Sequence, residues 1–548
     1  MTFLENIFSR LNDARDRVLL AEAHAGGDRT VTGAELLAKI AAARSFLRST
    51  RLLKGDRCAL IAPNSIRWAA LDLAIIAEGL IAVPLYARQA PAELVAMLRD
   101  AGPGLVCCSD PALRDSIAAA WPDAPRFALF DDIFAKPAPN STAAPNTLAP
   151  QSIVTIIYTS GTSGEAKGVM LTEGNLSHTL SCTTARLDQL MGPRSAPDRV
   201  FHYTPFCFAA SWILLLSCLS RTSVLTLSTD LTKLADEIQR ATPNYFLNVP
   251  LLLERMRARI EDNFRKRGGK MAKIFDNAVA AWFRLDAKKP QPWDFFWLGL
   301  AGLFIFPSVR KRLSPNLRAL ICGSAPLARE TQLFFMMLGI PVLQGYGLTE
   351  TTGICTLDDP AHIVPGRVGP AIPGVEMKLG DNSEILIRGP NIFPGYWKRP
   401  EQTAQVLHDG WFHTGDQGDV DTNGNWSVTG RLKNLIILNS GHTIAPEPIE
   451  EELLHALRGA QQVVLFGNGS SFLVAIITGE VVRGEIESQI ERLNATLPHY
   501  RKIRAFHAVR EPFTIENGLL TVNGKLKRDA IAARHGEEIE RMYAKTSA

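Results

Sequence analysis

The residues with the clearest chemical character lie between Tyr158 and Val169, where the sequence reads YTSGTSGEAKGV. Small hydroxyl residues, glycines and one lysine supply O–H donors, exposed backbone amides and a positive charge, which are the groups that bind a polyphosphate. Lys167 is followed by Gly168 and an apolar run instead of a Ser or Thr that opens a helix, so the P-loop pattern is not met. The stretch predicts a triphosphate cradle. A flexible turn is the alternative interpretation.

Two further segments carry side chains suited to a nucleotide. The run QGYGLTE ends at Glu350 and contains Tyr346 and Thr349, so it supplies a ring for stacking, a hydroxyl for a phosphate and a carboxylate for Mg²⁺. A tight turn after a strand is the alternative. The run WFHTGD ends at Asp416, whose carboxylate can accept hydrogen bonds from ribose hydroxyls.

Alternating apolar runs and helical patterns predict the elements that position these residues. Residues 58–62 and 81–85 read as strands, and residues 68–79 between them read as a helix. This rhythm predicts an α/β fold with helical crossovers. The β-branched run 153–158 precedes the glycine loop and another apolar run follows it, so the loop is expected to join strand to strand.

The end of the chain differs from the rest in composition. Residues 137–150 are rich in Pro, Ala, Asn, Ser and Thr and are expected to be a surface linker. Beyond Gly430, a proline and several glutamates open a helix near residue 447, and residues 463–466 and 472–477 read as strands. We therefore expect a small α+β domain after a hinge at residues 431–433.

A basic and aromatic region precedes residue 312. Cations are dense in residues 255–273 and 310–312, and residues 293–307 between them are almost wholly apolar. This apolar part is shorter than the roughly 20 residues that a membrane-spanning helix requires. The preferred interpretation is a buried helix with a solvated basic end. The alternative is a peripheral contact with a lipid surface.

Composition excludes several classes of function. A chain of 548 residues is too long for one small core, and a hydrophobic content of 46% is too high for a disordered chain. A net charge of +4 gives no general field for binding nucleic acid. Eight scattered cysteines without metal-ligand spacing indicate a reducing compartment. The first residues lack the apolar stretch of a signal peptide, so a cytoplasmic location is expected.

Taken together, these stretches resemble the adenylate-forming superfamily of acyl-CoA synthetases, beetle luciferases and peptide-synthetase adenylation domains. The resemblance extends over residues 30–529. Within the superfamily the chain looks most like the AMP-forming long-chain fatty acid:CoA ligases. Six motifs in order carry the resemblance: YTSGTSGEAKGV at Tyr158, GSAPL at Gly323, YGLTE at Tyr346, HTGD at His413, GRLKNLIILNSGHTIAPEPIE at Gly430 and ENGLLTVNGKLKR at Glu516.

The resemblance implies a large N-terminal adenylation domain of packed α/β sheets, residues 1–431, which binds the acyl group, ATP and Mg²⁺. A small mobile α+β domain, residues 432–548, would carry a catalytic lysine. Lys525, Glu350 and Thr349 are the implied catalytic residues, and Glu350 is the implied metal ligand. The implied cofactor-binding residues are Ser160, Gly161, Thr162, Ser163, Gly164, Lys167, Gly323, Ser324, Ala325, Tyr346, Asp416, Arg431 and Gly441.

The implied reaction joins a long- or medium-chain carboxylic acid to AMP, releases pyrophosphate and then transfers the acyl group to CoA. ATP and CoA would be co-substrates with Mg²⁺ as the metal. For Lys525, the residues alone equally allow a solvated cation in a basic edge beside Lys527 and Arg528. A carrier-protein thiol as acceptor, closure of a β-lactone, or a non-catalytic nucleotide-binding scaffold are the alternatives. Acyl chain length and oligomeric state are left open by the sequence.

Overall fold

The computed structural model describes residues 1–136, 144–159, 166–193, 196–521 and 524–546. Within these ranges the chain forms a mixed α/β fold with a large N-terminal part and a small C-terminal part, as the sequence predicts. Residues 144–149 of the expected linker form neither helix nor strand, and residues 137–143 lie outside the described residues.

The N-terminal part contains two mainly parallel sheets and one antiparallel sheet. The first sheet has eight strands in the spatial order Thr356–Leu357, Val342–Tyr346, Leu320–Cys322, Tyr245–Asn248, Arg199–His202, Val224–Ser228, Val18–Ala23 and Arg29–Thr32. The second has six in the order Phe127–Leu129, Leu105–Cys108, Arg57–Ile61, Ile81–Leu85, Ile153–Thr159 and Lys167–Thr172. The antiparallel sheet contains Glu376–Leu379, Glu384–Arg388, Leu407–His408, Trp411–Val420 and Trp426–Arg431.

Helices cover the two parallel sheets. Helix Ile66–Ala77 is buried along almost its whole length between them, because all of its side chains except those of Arg67 and Asp72 are apolar. The other α-helices of the N-terminal part are Phe3–Asp13, Gly33–Ser49, Pro91–Ala101, Pro111–Ala120, Phe130–Ile133, Glu173–Met191, Ala209–Arg221, Leu234–Ala241, Pro250–Arg267, Gly269–Asp286, Asp294–Phe304, Phe306–Leu313, Arg329–Met337 and Pro400–Val406.

The C-terminal part has its own apolar cores. A two-stranded ribbon, Ile436–Ile437 with Thr443–Ile444, precedes a three-stranded sheet. The sheet consists of Ala460–Phe466, Leu473–Gly479 and Ile503–Val509, and the helices are Glu447–Ala456, Arg483–Thr496, Arg528–Arg534 and Gly536–Thr546. Two hydrophobic clusters within residues 436–542 stabilise this part.

The expectation of a buried helix at residues 293–307 is wrong. The segment forms parts of two helices, Asp294–Phe304 and Phe306–Leu313, and the side chains of Phe295 and Leu303 are 70% and 69% exposed. Among the apolar residues of helix Asp294–Phe304, only Ala301 is fully buried. Among the described residues, none of the helices combines the length and apolar character needed to cross a bilayer.

A buried carboxyl group lies between the two parallel sheets. Asp72, on helix Ile66–Ala77, is fully buried and accepts a hydrogen bond of 2.8 Å from the indole Nε1 of Trp212. Burial raises the pKa of Asp72 to about 7, and the bond from Trp212 opposes this shift. Because the folded-state pKa lies above that of the unfolded chain, Asp72 contributes less to stability as the pH rises towards 7.

We expect Trp212→Phe to lower the free energy of unfolding by about 1–3 kcal/mol, with a larger loss at pH 8.5 than at pH 6. Without the indole donor, the ionised form of Asp72 loses its stabilising hydrogen bond. The added loss of stability appears above the pKa of Asp72, where the carboxyl group is ionised. The midpoint of thermal unfolding at the two pH values measures the effect.

Trp282→Phe is the matched control, because the buried indole nitrogen of Trp282 has no hydrogen-bond partner among the described residues. It should change the midpoint little at either pH. An equal loss in the Trp212 variant at both pH values would contradict the role assigned to the bond.

Candidate functional site

A cavity of about 520 Å³ lies at the carboxyl ends of the parallel strands Leu320–Cys322 and Val342–Tyr346, where open α/β sheets commonly bind ligands. Both parts of the chain contribute to its wall. Five cationic side chains and one carboxylate line it among the described residues, so the cavity favours an anion. These charged side chains are Lys167, Arg186, Glu350, Arg431, Lys433 and Lys525.

The predicted phosphate loop begins and ends at this cavity. Strands Ile153–Thr159 and Lys167–Thr172 pair antiparallel, with Thr159 opposite Lys167, and both of these residues line the wall. The strands expected before and after the glycine-rich segment are therefore confirmed. Lys167 Nζ lies 5.1 Å from the ring centre of Tyr396. The predicted cradle residues Ser160, Gly161, Thr162, Ser163 and Gly164 lie outside the described residues.

The carboxylate of the site is held by a short turn. Thr349 and Glu350 lie on the 3₁₀ turn Thr349–Thr351 and both line the cavity. The chain can make this turn because Gly347 passes close to the backbone at Gly353, where an added Cβ would lie 2.5 Å from the carbonyl oxygen. Glu350 Oε1 accepts a hydrogen bond of 2.9 Å from the hydroxyl of Tyr396. Burial, and then the charge of Glu350, raise the pKa of Tyr396.

Asp416 forms a buried ion pair behind the wall. It lies opposite Arg431 on neighbouring strands, and Arg431 Nε is 2.8 Å from its Oδ1. The hydroxyl of Tyr346 donates to its Oδ2 at 2.7 Å. Arg431 lines the cavity, whereas the ring of Tyr346 packs in an apolar cluster behind Gly345 and Gly347. The expected stacking of Tyr346 on a base stays a prediction.

The GSAPL segment contributes backbone to the wall. Gly323 and Ser324 follow strand Leu320–Cys322 and line the cavity, while Ala325 is not part of the lining that the described residues form. An added Cβ at Gly323 would lie 3.2 Å from the carbonyl oxygen of Gly345. The two carboxyl-terminal strand ends therefore approach closely at this point.

Lys525 reaches the cavity from the C-terminal part. Its backbone N–H donates to Thr521 Oγ1 at 3.1 Å, and its carbonyl accepts from the Thr521 N–H at 2.7 Å. These bonds hold the backbone of Lys525 beside Thr521. Burial and the charge of Arg431 lower the pKa of Lys525, although Asp416 and Glu350 act in the opposite direction.

Lys433 adds a third cation at the same place. Burial, and then the charges of Arg431 and Lys525, lower its pKa to about 8. Three cations from two parts of the chain therefore repel one another at one end of the cavity. An anion bound among them would relieve this repulsion and raise both lysine pKa values again.

Gly441 lies away from this charged end. It occupies the turn of the ribbon Ile436–Ile437 and Thr443–Ile444 with a φ of +81°, which suits glycine. The neighbouring His442 stacks on Tyr500 with ring centres 4.2 Å apart. In this arrangement of the two parts, Gly441 is not among the described residues that line the cavity.

Sequence reasoning missed Tyr396 as a partner of the carboxylate. Its position depends on backbone bonds between distant segments: the Phe393 N–H donates to the Glu350 carbonyl at 2.9 Å, and the Trp397 N–H donates to the Gly168 carbonyl at 2.7 Å. The aromatic pair in PGYWK is the only signal, and it does not identify the partner. Lys433, which the sequence places at the predicted hinge, also lines the cavity.

The other end of the cavity is apolar. It lies between helices Glu173–Met191 and Ala209–Arg221 and the ends of the first sheet. Among the described helical residues, three polar side chains interrupt its apolar wall. They are Arg186 and the pair Thr183 and Ser217, whose hydroxyl oxygens are hydrogen-bonded at 3.0 Å. The apolar side chains are Leu187, Leu190, Phe208, Ile213, Leu214, Leu247, Ile321, Leu343, Leu348, Ile354 and Leu357. One cavity therefore joins a cationic end to an end that suits a hydrocarbon.

A family model described as AMP-binding enzyme matches residues 9–397, and one described as AMP-binding enzyme C-terminal domain matches residues 433–547. The chain belongs to the AMP-binding enzyme family. The long-chain-fatty-acid–CoA ligase FadD15 of Mycobacterium bovis is 28% identical over an alignment that covers 98% of this chain and 96% of that protein. The chloroplastic long-chain-fatty-acid–[acyl-carrier-protein] ligase AEE15 of Arabidopsis thaliana is 26% identical, with 96% and 85% covered.

A solved relative has the same fold. The A domain of the carboxylic acid reductase from Segniliparus rugosus, in complex with AMP and a co-purified carboxylic acid, superimposes with a TM-score of 0.78 at 23% identity. The match covers 100% of this chain and 94% of that one. The predicted architecture of an adenylate-forming enzyme, with a separate small C-terminal domain, is confirmed.

The two parts of the AMP-binding enzyme also touch outside the cavity. His455 Nε2 of the C-terminal part lies 3.9 Å from Glu254 Oε1 on helix Pro250–Arg267 and 3.8 Å from Glu451 Oε1. Burial lowers the pKa of His455, but the bond to Glu451 and the charges of Glu254, Glu451 and Glu330 outweigh it and raise the pKa. The contact is therefore strongest below this raised pKa and weakens as the pH rises through it.

We expect His455→Gln to open the domain interface at low pH by about threefold, which corresponds to ~0.6 kcal/mol for a partly exposed pair. Opening would expose the predicted hinge at residues 431–433, so the rate of tryptic cleavage at Arg431 and Lys433 measures the opening. The ratio of variant to wild-type rates cancels the pH dependence of trypsin itself.

That ratio should fall towards one as the pH rises through the His455 pKa. A ratio that is independent of pH would rule out protonated His455 as a contributor to closure.

Proposed function

We propose that this AMP-binding enzyme is an ATP-dependent ligase that converts a long- or medium-chain carboxylic acid to an acyl-AMP and then transfers the acyl group to the thiol of CoA. The continuity of a cationic end and an apolar end in one cavity is the observation that carries the proposal. An amphiphilic acid would place its chain in the apolar end and its carboxylate among the cations. The names of the curated relatives agree with this substrate class.

In the first half-reaction an oxygen of the carboxylate forms a bond to the α-phosphorus, and the bond from that phosphorus to the bridging oxygen breaks. Pyrophosphate leaves with the electron pair. Two anions must approach each other, so the site must neutralise their repulsion and align them. We assign this role to Lys525, which would contact both the carboxylate and the α-phosphate, with Thr349 as a donor to the same phosphate.

The remaining charged residues would bind the nucleotide. Lys167 and the loop 160–164 would hold the β- and γ-phosphates, and the Gly323 to Ala325 backbone with Tyr346 would contact the adenine. The Asp416 and Arg431 pair would bind the ribose hydroxyls. Arg431 is on the wall, and Asp416 orients it from behind.

Mg²⁺ fits the site as an ion held mainly by the substrate. No three His, Cys, Asp or Glu side chains gather as metal ligands within the described ranges. Mg²⁺ typically takes one or two carboxylates together with substrate phosphates and water. Glu350 supplies one such carboxylate on the cavity wall, and the hydroxyl of Tyr396 fixes its orientation. When bound, the ion would neutralise charge on the phosphate oxygens.

In the second half-reaction the sulfur of CoA attacks the acyl carbon, the bond to the AMP oxygen breaks, and the thiol proton is released. We place the domain boundary between residues 431 and 432, with Lys433 at the hinge. Rotation of the mobile domain 432–548 would withdraw Lys525 and bring Gly441 and its ribbon towards the thiol. A carrier-protein thiol is the second candidate acceptor, because one similar protein is named a ligase for an acyl-carrier protein.

Lys525→Ala should lower the rate of acyl-AMP formation from acid and ATP by at least ~100-fold, because the charge that joins the two anions is lost. Thioester formation from supplied acyl-AMP and CoA should change little. Pyrophosphate release measures the first reaction, and mass spectrometry of acyl-CoA measures the second.

Lys527→Ala is the matched control, since Lys527 lies two residues away and pairs with Glu93 at 4.0 Å outside the cavity. It should retain most of the adenylation rate. Unchanged adenylation in the Lys525 variant would remove that residue from the reaction.

Acid labelled with ¹⁸O in its carboxylate should transfer one labelled oxygen to AMP during turnover with CoA. The label reaches AMP only if the carboxylate has been bonded to the α-phosphorus. Mass spectrometry measures the ¹⁸O content of the released AMP, and unlabelled AMP would exclude the acyl-AMP intermediate. Replacing CoA by a carrier protein in the same assay distinguishes the two acceptors.

A further inference from the structure

The helical hairpin formed by Gly269–Asp286 and Asp294–Phe304 presents an unusual surface. It is firmly attached to the protein. Arg284 on the first helix forms an ion pair with the buried Asp294 at the start of the second. Ala301 and Ile305 are enclosed in an apolar cluster with Phe275 and Leu253. The exposure of its outer side is therefore a fixed property of the fold.

The outer side of this hairpin is apolar and aromatic. All four exposed Trp and Phe side chains of the described residues lie between residues 293 and 304. Phe296, Gly299 and Leu303 follow one another at helical spacing on the exposed side, where a helix facing water would carry polar residues. Residues 295–309 contain no charged side chain. The exposed large side chains are Trp293, Phe295, Phe296, Leu303 and Phe304, at 69%, 70%, 50%, 69% and 55%.

Cations surround this apolar side. Residues 255–312 contain 14 Lys and Arg against 5 Asp and Glu, a formal charge of +9, whereas the whole chain has only +4. Lys288 and Lys289 are exposed just before Trp293, and Lys311 and Arg312 are exposed at the other end of the helices. Four of the five carboxylates pair with arginines: Glu261, Asp262, Asp286 and Asp294.

We propose that this face docks on the surface of a bilayer that carries anionic headgroups. The 11-residue helix Asp294–Phe304 is about 16 Å long, too short to span, and would lie in the plane of the interface. Its aromatic rings would enter the headgroup region, where Trp is favoured, and the flanking cations would contact phosphates. The proposal does not depend on the ligase reaction.

Lipid is a better occupant of this face than a second copy of the chain. A twofold interface would bring the same +9 region against itself, and the flanking lysines of both copies would repel. An anionic membrane instead offers charge complementarity to the cations and an apolar layer to the aromatic rings. Both chemical features of the face are then matched by one partner.

Sedimentation with vesicles tests the proposal. The full chain should pellet with vesicles of phosphatidylcholine mixed equally with phosphatidylglycerol, and less with phosphatidylcholine alone or at raised salt, which screens the cations. Phe295→Ser with Phe296→Ser should weaken binding to the mixed vesicles at least tenfold. Lys288→Ala with Lys289→Ala should weaken it about tenfold and leave the weak binding to phosphatidylcholine unchanged.

Val482→Ser is the matched control, because Val482 is 71% exposed in the C-terminal part; it should bind as the wild type does. Unchanged midpoints of thermal unfolding verify that each variant is folded. Equal vesicle binding by the Phe295 and Phe296 variant and the wild type would overturn the proposal. The proposal would also be overturned if the wild type self-associated in the absence of vesicles and the Phe295 and Phe296 variant did not, because a second copy of the chain would then cover the face.

Discussion

The crowding of like charges at one end of the cavity is the constraint on which the rest of the site depends. Arg431, Lys433 and Lys525 lie together, and the charges of Asp416, Asp529 and Glu350 oppose their repulsion only in part. The lowered pKa values of both lysines express the free energy of placing these cations close together and away from water. A bound polyphosphate would relieve this repulsion, so in the proposed mechanism its binding and the closure of the two domains favour each other.

The apolar end imposes a second requirement. An acyl-AMP is a mixed anhydride, and water that reached it would hydrolyse it. Apolar side chains such as Leu214 and Phe208 line the same cavity as the charged groups and would limit the access of water to a bound acyl-AMP. The strands of the first sheet make this possible, since parallel strands end at one edge and bring Gly323, Gly345 and Glu350 to a common wall.

Sequence reasoning predicted the elements better than the contacts between them. The strand–loop–strand unit ending at Lys167 follows from local β-branched runs, which act over a few residues. Tyr396 and Glu350 are 46 positions apart, and their hydrogen bond depends on backbone bonds between distant segments, which no local pattern encodes. The prediction of a buried helix at residues 293–307 is wrong, because an apolar segment favours any environment without water, and the sequence does not specify whether protein or lipid provides that environment.

Charged side chains repel one another across the domain interface near the cavity and attract one another at its periphery, and this difference suits the proposed closing and reopening of the two domains. Around the cavity, Lys525 repels Arg431 across the interface, whereas at the periphery His455 attracts Glu254 and Lys527 attracts Glu93. The stability of the closed state thus depends on a balance between this repulsion and these weak attractions. In the proposed reaction, ATP adds negative charge that favours closure, and the departure of pyrophosphate removes most of it. The repulsion among Arg431, Lys433 and Lys525 then returns at the stage when the mobile domain has to rotate and admit the thiol.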